Sequence, residues 1–414
     1  MLEDFVVPAA AQRLRSCVLG GHLDRFCAGL ADLGYQRRMI RHKLRVVRDW
    51  ARWLTEEHLG IGDLDDGRVD EFVAARRRGG RTRDGVRTTL LMLLEQLRSA
   101  GVVPTPAEPA CGNSPMAVLL ADYEGHLRRE RALEESTISA YLWFVRAFVA
   151  ERLDQSAGRP HSLRPIDVRN FLLARVGSVA PGRMQCVRTS LRSFLRFLFL
   201  RGETATNLAL AVPTVRRWQL SSVPRHLPGR DVERLLRACD CSSATGRRDH
   251  AVLLLLARLG LRASEVLALE FGDLHWREGE IIVRGKGLVH DRLPLLPDVG
   301  EALALYLQKD RPPGGSRRVF LCRQAPHRGF AHPSTVTTIV SRALIRAGLA
   351  PTTRGAHLLR HSLATTMVRC GASLAEIGQV LRHRSPNTTE IYAKLDFDAL
   401  RDVAMPWPTA RGAR

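Results

Sequence analysis

Lysine is scarce in this chain: of its 63 basic residues only Lys43, Lys286, Lys309 and Lys394 are lysine. Aromatic residues make up 6% of the 414, with five tyrosines among them. The eight cysteines contain no Cys-x-x-Cys pair. Cys239 and Cys241 are too close together for an ordinary disulfide or a zinc knuckle, so reduced cysteine in a cytoplasmic protein is expected. Met1-Leu2-Glu3-Asp4 places acid where an export signal needs basic charge. The apolar run Ala251–Ala257 is far too short to cross a bilayer. These absences argue against an exported, membrane-spanning or disulfide-stapled protein.

Arginine, by contrast, is abundant. The formal net charge is +21 and the isoelectric point about 10.9, an excess that suits a polyanion, of which nucleic acid is the commonest. A base composition that favours arginine codons would raise the same count, so the chemistry has to be sought in particular residues. The charge is uneven: net +3 over residues 1–112, +7 over 113–223 and +11 over 224–414. A polyanion should therefore lie mainly against the middle and C-terminal parts. The length suggests two or three domains, and 45% hydrophobic residues suffice to give each a core.

An internal repeat organises the first half. Ile40, Leu44, Val47 and Arg48 recur 98 positions later as Ile138, Leu142, Val145 and Arg146. Leu64, Val69, Phe72 and Arg76 recur at 99, as Leu163, Val168, Phe171 and Arg175. Arg87, Thr88, Leu90, Leu94, Leu97 and Gly101 recur at 101, as Arg188, Thr189, Leu191, Leu195, Leu198 and Gly202. Three blocks in one order, with an offset drifting as loop insertions would make it drift, predict two copies of a helical module. The boundaries expected are 1–112 for the extra copy, 113–210 for the second, a linker over 211–227 with Pro213 and Pro224, and a third region over 228–414.

The third region reads as helices around one small antiparallel sheet. Val232, Leu235 and Leu236 mark an amphipathic helix, and another runs through His250–Leu259. The β-branched stretch Gly279–Arg284 and the return Arg292–Leu295 flank a turn at Gly285-Lys286-Gly287. Helices follow over Asp298–Gln308, Ser334–Ala347, His357–Cys370 and Leu374–Leu381. The fold class expected is mainly α with a small antiparallel β-sheet.

Six residues of this region form a coherent chemical set. Arg262 follows Gly260, which breaks a helix, and Glu265 is placed three residues on either to cap the next helix or to hold the guanidinium. His357 and Arg360, three apart on a helix, share a face. His383 and Tyr392 are nine apart and would point oppositely on one continuous helix. Ser385-Pro386-Asn387 breaks that helix and lets them converge, and Asn387-Thr388-Thr389-Glu390 has the form of a capping box for a new short helix carrying Tyr392. Lys286 occupies a hairpin tip, and unlike arginine it can release a proton. His357 and His361 have no acid or cysteine nearby to complete a metal site. Taken singly, each residue suits a solvated face or a packed core. Together they supply positive charge, proton-transfer groups and a nucleophile suited to a phosphodiester.

In order and spacing these residues resemble the tyrosine recombinase family, also called phage-type integrases. The resemblance rests on Arg262, Lys286, His357-x-x-Arg360, His383 and Tyr392, with close matches at Leu359–Thr365 and Thr388–Tyr392. It implies helical (SAM-like) core-binding modules followed by a tyrosine-recombinase catalytic domain. It also implies strand exchange on double-stranded DNA through a 3′-phosphotyrosyl link, with neither metal nor cofactor. The implied roles are Tyr392 as nucleophile, His357 as base, Arg262 and Arg360 as a phosphate clamp, His383 as a further donor and Lys286 as general acid. Further implications are integration, excision or transposition of a mobile element, by a homotetramer on DNA or an assembly with related recombinases, in the cytoplasm and away from membranes. A type IB topoisomerase-like enzyme, a non-catalytic DNA-binding regulator on the same fold, and a transposase-like integrase acting with partners are the alternatives. The chain departs from the family in carrying Arg382 where glycine usually precedes the histidine. Its hairpin after Gly287 is also about one residue longer than a common family form, and the module over 1–112 is extra.

Overall fold

A computed structural model describes residues 1–78, 85–104, 115–153, 160–214, 223–285 and 290–395. The chain forms two compact units, residues 1–103 with 218–414, and residues 104–217.

The N-terminal region begins with α1 (Leu2–Phe5), α2 (Pro8–Arg15) and α3 (Leu23–Asp32). Then come the long α4 (Arg37–Glu56), α5 (Asp66–Arg78) and α6 (Val86–Ser99). The unit over 104–217 is built from α7 (Pro115–Arg129), α8 (Glu135–Arg152), α9 (Pro165–Leu173) and α10 (Pro181–Leu200). The three repeat blocks fall on α4 and α8, on α5 and α9 and the residues flanking them, and on α6 and α10 and the turns that end them. Their apolar members are core residues in both copies: Val47 and Val145, Val69 and Val168, and Leu97 and Leu198 are all fully buried. A polar detail recurs too. Arg76 lies over the Phe72 ring and bonds Asp49 of α4, and Arg175 lies over the Phe171 ring and bonds Glu151 of α8. In each copy one arginine ties the second helix to the first through an aromatic face and a carboxylate.

The C-terminal region holds α11 (Gly229–Arg237), α12 (Ala244–Arg258) and α13 (Ala263–Ala268). A sheet of β1 (Leu274–His275), β2 (Glu280–Arg284) and β3 (His290–Pro294) follows. The last helices are α14 (Pro297–Lys309), α15 (Ser334–Arg346), α16 (Ala356–Arg369) and α17 (Leu374–Val380). The sheet is antiparallel in the order β1-β2-β3, with Ile282 opposite Arg292. The hairpin pairs as its β-branched residues predict; β1, of two residues, carries too little pattern to be seen in sequence. α12 is the axis of the core: Ala251 to Leu256 are all buried, because α11, α14, α15 and α16 surround it. Among the described residues no helix is long and apolar enough to cross a membrane.

Candidate active site

The α12–α13 junction sets the first wall. Gly260 takes φ +59°, in the left-handed region, and a side chain there would stand 2.8 Å from Leu381 Cδ2 and 3.1 Å from Leu363 Cδ2. Only glycine meets both demands. The turn delivers Arg262 at the start of α13. Glu265 does both jobs open to it: it accepts the Arg262 backbone N–H at 2.8 Å and the Arg262 Nη1 at 2.6 Å. Arg262 Nη2 donates to the carbonyl of Arg382 at 3.4 Å.

Arg360 rises from α16 beneath that turn. Its guanidinium is buried and donates to the carbonyls of Gly260 and Leu381. One rigid fork thus spans the two backbone segments that carry Arg262 and His383. Burial, reinforced by Arg262 and Arg382, lowers its pKa to about 10, so it remains a cation at neutral pH. His357, one turn earlier, has a solvent-exposed edge. The protein packed around its ring lowers its pKa, and the charges of Arg360 and Arg262 add to this.

His383 follows Arg382, whose φ of +55° is unusual for a side-chain-bearing residue. That explains a glycine habit at this position. Here the strain is offset by contacts: Arg382 Nη2 bonds Glu265 Oε2 at 2.8 Å with both side chains buried. Burial alone would raise the Glu265 pKa, but Arg382 and Arg262 together hold it below the usual range. His383 Nδ1 meets Thr389 Oγ1 at 2.7 Å. Burial, then Arg360 and Arg262, lower its pKa to about 4.

The Ser385-Pro386-Asn387 break is real, but the capping box expected at Asn387 does not form. The chain runs through two short 3₁₀ turns, Pro386–Thr388 and Glu390–Leu395. Thr389 is spent on His383 instead of capping. Tyr392 sits on the second turn, 1% exposed, in an apolar pocket of Ala364, Val368, Ile377, Leu381 and Leu395. Burial raises its pKa to about 12, against the pull of Arg360. Its hydroxyl is 2.6 Å from Nδ1 of His361. Burial, then His357, Arg360 and His226, lower the His361 pKa to about 4, so the ring is neutral and, in the tautomer with the proton on Nε2, its Nδ1 accepts a hydrogen bond from the phenol.

Sequence reasoning therefore brings Arg262, Arg360, His357, His383 and Tyr392 into one region, with Lys286 outside the described residues. It missed the contact partners. His361 was visible one turn after His357, on the helix line leading to the tyrosine, and Thr389 was read only as part of a cap.

The model of the phage integrase family matches residues 225–398. The integrase/recombinase y4rA of Sinorhizobium fredii is 43% identical over 92% of this chain and 93% of its own. Tyrosine recombinase XerD of Listeria monocytogenes is 30% identical over 69% of this chain and 96% of its own. Among solved structures, the XerH site-specific recombinase bound to a palindromic difH substrate matches with a TM-score of 0.54 and 17% identity. That match covers 95% of this chain and 96% of XerH and speaks for the fold.

Proposed function

The chain belongs to the phage integrase family of tyrosine recombinases, which break and rejoin DNA at specific sites, and on that premise we propose a role for each residue of its site. Tyr392 Oη attacks the scissile phosphorus, a phosphotyrosyl bond forms, and the 5′-oxygen leaves with a proton from Lys286. The 5′-hydroxyl of a second strand then reverses the step. Bond energy is retained in the covalent intermediate. Arg262 and Arg360 neutralise the non-bridging oxygens as charge grows on them, an effect worth about a hundredfold or more per preorganised donor. His383, neutral at pH 7 and oriented by Thr389, donates to the same phosphate. His357, at the exposed edge of the site, takes the phenol proton once the tyrosine has moved to the DNA.

His361 has a different part: it holds the phenol at rest. From Tyr392 at about 12 to His361 at about 4 the gap is about eight pKa units. Proton transfer across it would cost on the order of 11 kcal/mol at about 1.4 kcal/mol per unit. His361 is thus an acceptor that tethers and a poor base.

One observation supports this reading most. Arg262, Arg360 and His383 come from three separate segments and are locked together through the backbone at Gly260, Leu381 and Arg382, with the tyrosine one hydrogen bond from the Arg360 helix. The assemblies in which related recombinases act, and the mobile element this chain would move, are part of the same proposal: four copies, or copies with related recombinases, exchanging strands at the ends of an element. Tyr392→Phe keeps the ring and removes the nucleophile. It should retain DNA binding and give no covalent adduct with a nicked half-site; an adduct formed by this variant would overturn the assignment.

A further inference from the structure

Arg284 stands two residues before Lys286 and takes no part in the chemistry assigned to the site. Its strand is held to the core by alternate side chains: Ile281 and Val283 are buried, and Arg284 turns to the opposite face. Val283 is thus the last apolar anchor of β2, and Gly285 after it has no side chain to pack. The hairpin register ends where Arg284 pairs with His290, which leaves residues 285–289 to connect the strands. What fixes this end of β2 is polar. Arg284 donates to Asp273 Oδ1 from Nε at 3.1 Å and from Nη2 at 2.8 Å. The same Nη2 reaches Glu270 Oε2 at 3.3 Å.

Asp273 is 3% exposed, and both its oxygens are engaged. Oδ2 accepts the backbone N–H of Glu270 at 2.8 Å and closes the 3₁₀ turn Phe271–Asp273, while Oδ1 takes Arg284. That turn is fastened to the end of α13. Arg318 donates to the carbonyl of Ala268 and faces Glu270 at 3.6 Å, and the Val319 N–H donates to the carbonyl of Leu269 at 2.9 Å. α13 itself begins one residue after Arg262. A single line of attachment therefore runs from the phosphate clamp through α13 and the turn to Arg284. A surface ion pair contributes little to stability. A carboxylate buried as deeply as Asp273 needs a cation, and the fold supplies it from the last residue of the strand that leads to Lys286.

We propose that Arg284 is a positioning residue for proton transfer to the leaving group: locked on Asp273 and Glu270, it sets the direction in which the chain leaves β2, and so where the Lys286 ammonium meets the 5′-oxygen. This role rests on the general-acid reading of Lys286. Proton transfer needs its partners within hydrogen-bond reach, about 2.6–3.2 Å, and a misplacement of about 1 Å can cost about a hundredfold. Asp273 acts through Arg284 and touches no substrate atom.

The test uses the full chain and compares covalent attachment, at saturating DNA, on an ordinary nicked half-site and on its 5′-bridging phosphorothiolate. Arg284→Gln should slow attachment to ordinary DNA by about tenfold to a hundredfold and leave the phosphorothiolate rate within about twofold of the parent's. With Lys286→Ala already in place, Arg284→Gln should cost ordinary DNA nothing further, because the two residues act as one unit. The double variant Arg284→Gln, Asp273→Asn leaves no unpaired buried carboxylate at position 273 and gives the same readout if the single variant fails to fold. Equal slowing on both substrates, as a direct phosphate contact by Arg284 would give, overturns the proposal. So does an unchanged rate on ordinary DNA, or a further loss on top of Lys286→Ala. Lys286→Ala alone decides the general-acid reading: if the phosphorothiolate fails to restore its attachment, that reading falls, whatever Arg284 does.

Discussion

Replacing His361 with phenylalanine separates a tether from a base. The substitution keeps a ring of similar shape in α16 and removes the only acceptor that Tyr392 is seen to use among the described residues. The phenol is 1% exposed, so water cannot take over. An orphaned buried hydroxyl costs about 1–3 kcal/mol. That cost falls on the buried arrangement alone. It should therefore shift the population toward the arrangement in which Tyr392 reaches DNA, by about 5- to 150-fold if the released form is rare in the parent chain. The population is read as the rate of Tyr392 nitration, followed by mass spectrometry. Chemistry is read as the rate of covalent attachment to a nicked half-site at saturating DNA. Nitration should accelerate within that range, and attachment should be no slower than in the parent. If His361 were the proton acceptor in the attack, attachment would instead fall by about a hundredfold or more with nitration unchanged. That result would refute the tether, and with it the argument from the eight-unit gap.

Three further outcomes are expected. Lys286→Ala should lose cleavage of ordinary DNA and regain it on a 5′-bridging phosphorothiolate, whose sulfur leaves without a proton; failure of this rescue would remove lysine from the acid role. Arg382→Gly relieves a left-handed residue worth about 1–2 kcal/mol but takes one of two cations from the buried Glu265 carboxylate, where full loss of compensation costs about 3–5 kcal/mol. Urea unfolding should therefore find it less stable by about 2 kcal/mol, and Arg382→Ala, which keeps the strain, less stable still. His361 and His383 titrate near pH 4 when folded and near 6.5 when unfolded, so across that window the unfolded chain binds more protons and stability rises with pH. The urea midpoint should be full at neutral pH and decline towards about pH 5; a flat midpoint over that range would contradict both histidine environments.

Much of this was legible because helices and nucleophiles leave different marks. The repeat blocks on α4–α6 and α8–α10 were readable since burial fixes residue type at Val47, Val69, Leu97 and their counterparts. The clamp was readable from residue order: Arg262 after a glycine, His357 three before Arg360. What sequence could not reveal were contacts made across long separations by backbone atoms. The two carbonyls that hold Arg360 belong to Gly260 and Leu381, and a carbonyl has no letter in a sequence. The cap at Asn387 failed for a related reason. Local capping competes with tertiary bonds, and the buried Thr389 hydroxyl serves His383.

Arg382 has a consequence for how this chain can change over generations. Its guanidinium reaches Glu265, 117 positions away, and Glu265 also orients Arg262. Exchange of Arg382 for glycine would leave that carboxylate with a single cation, and loss of Glu265 would leave Arg262 and Arg382 without the buried carboxylate they share. The two positions are therefore expected to drift together, so that a census of natural variants should find Arg382 only where an acid stands at 265.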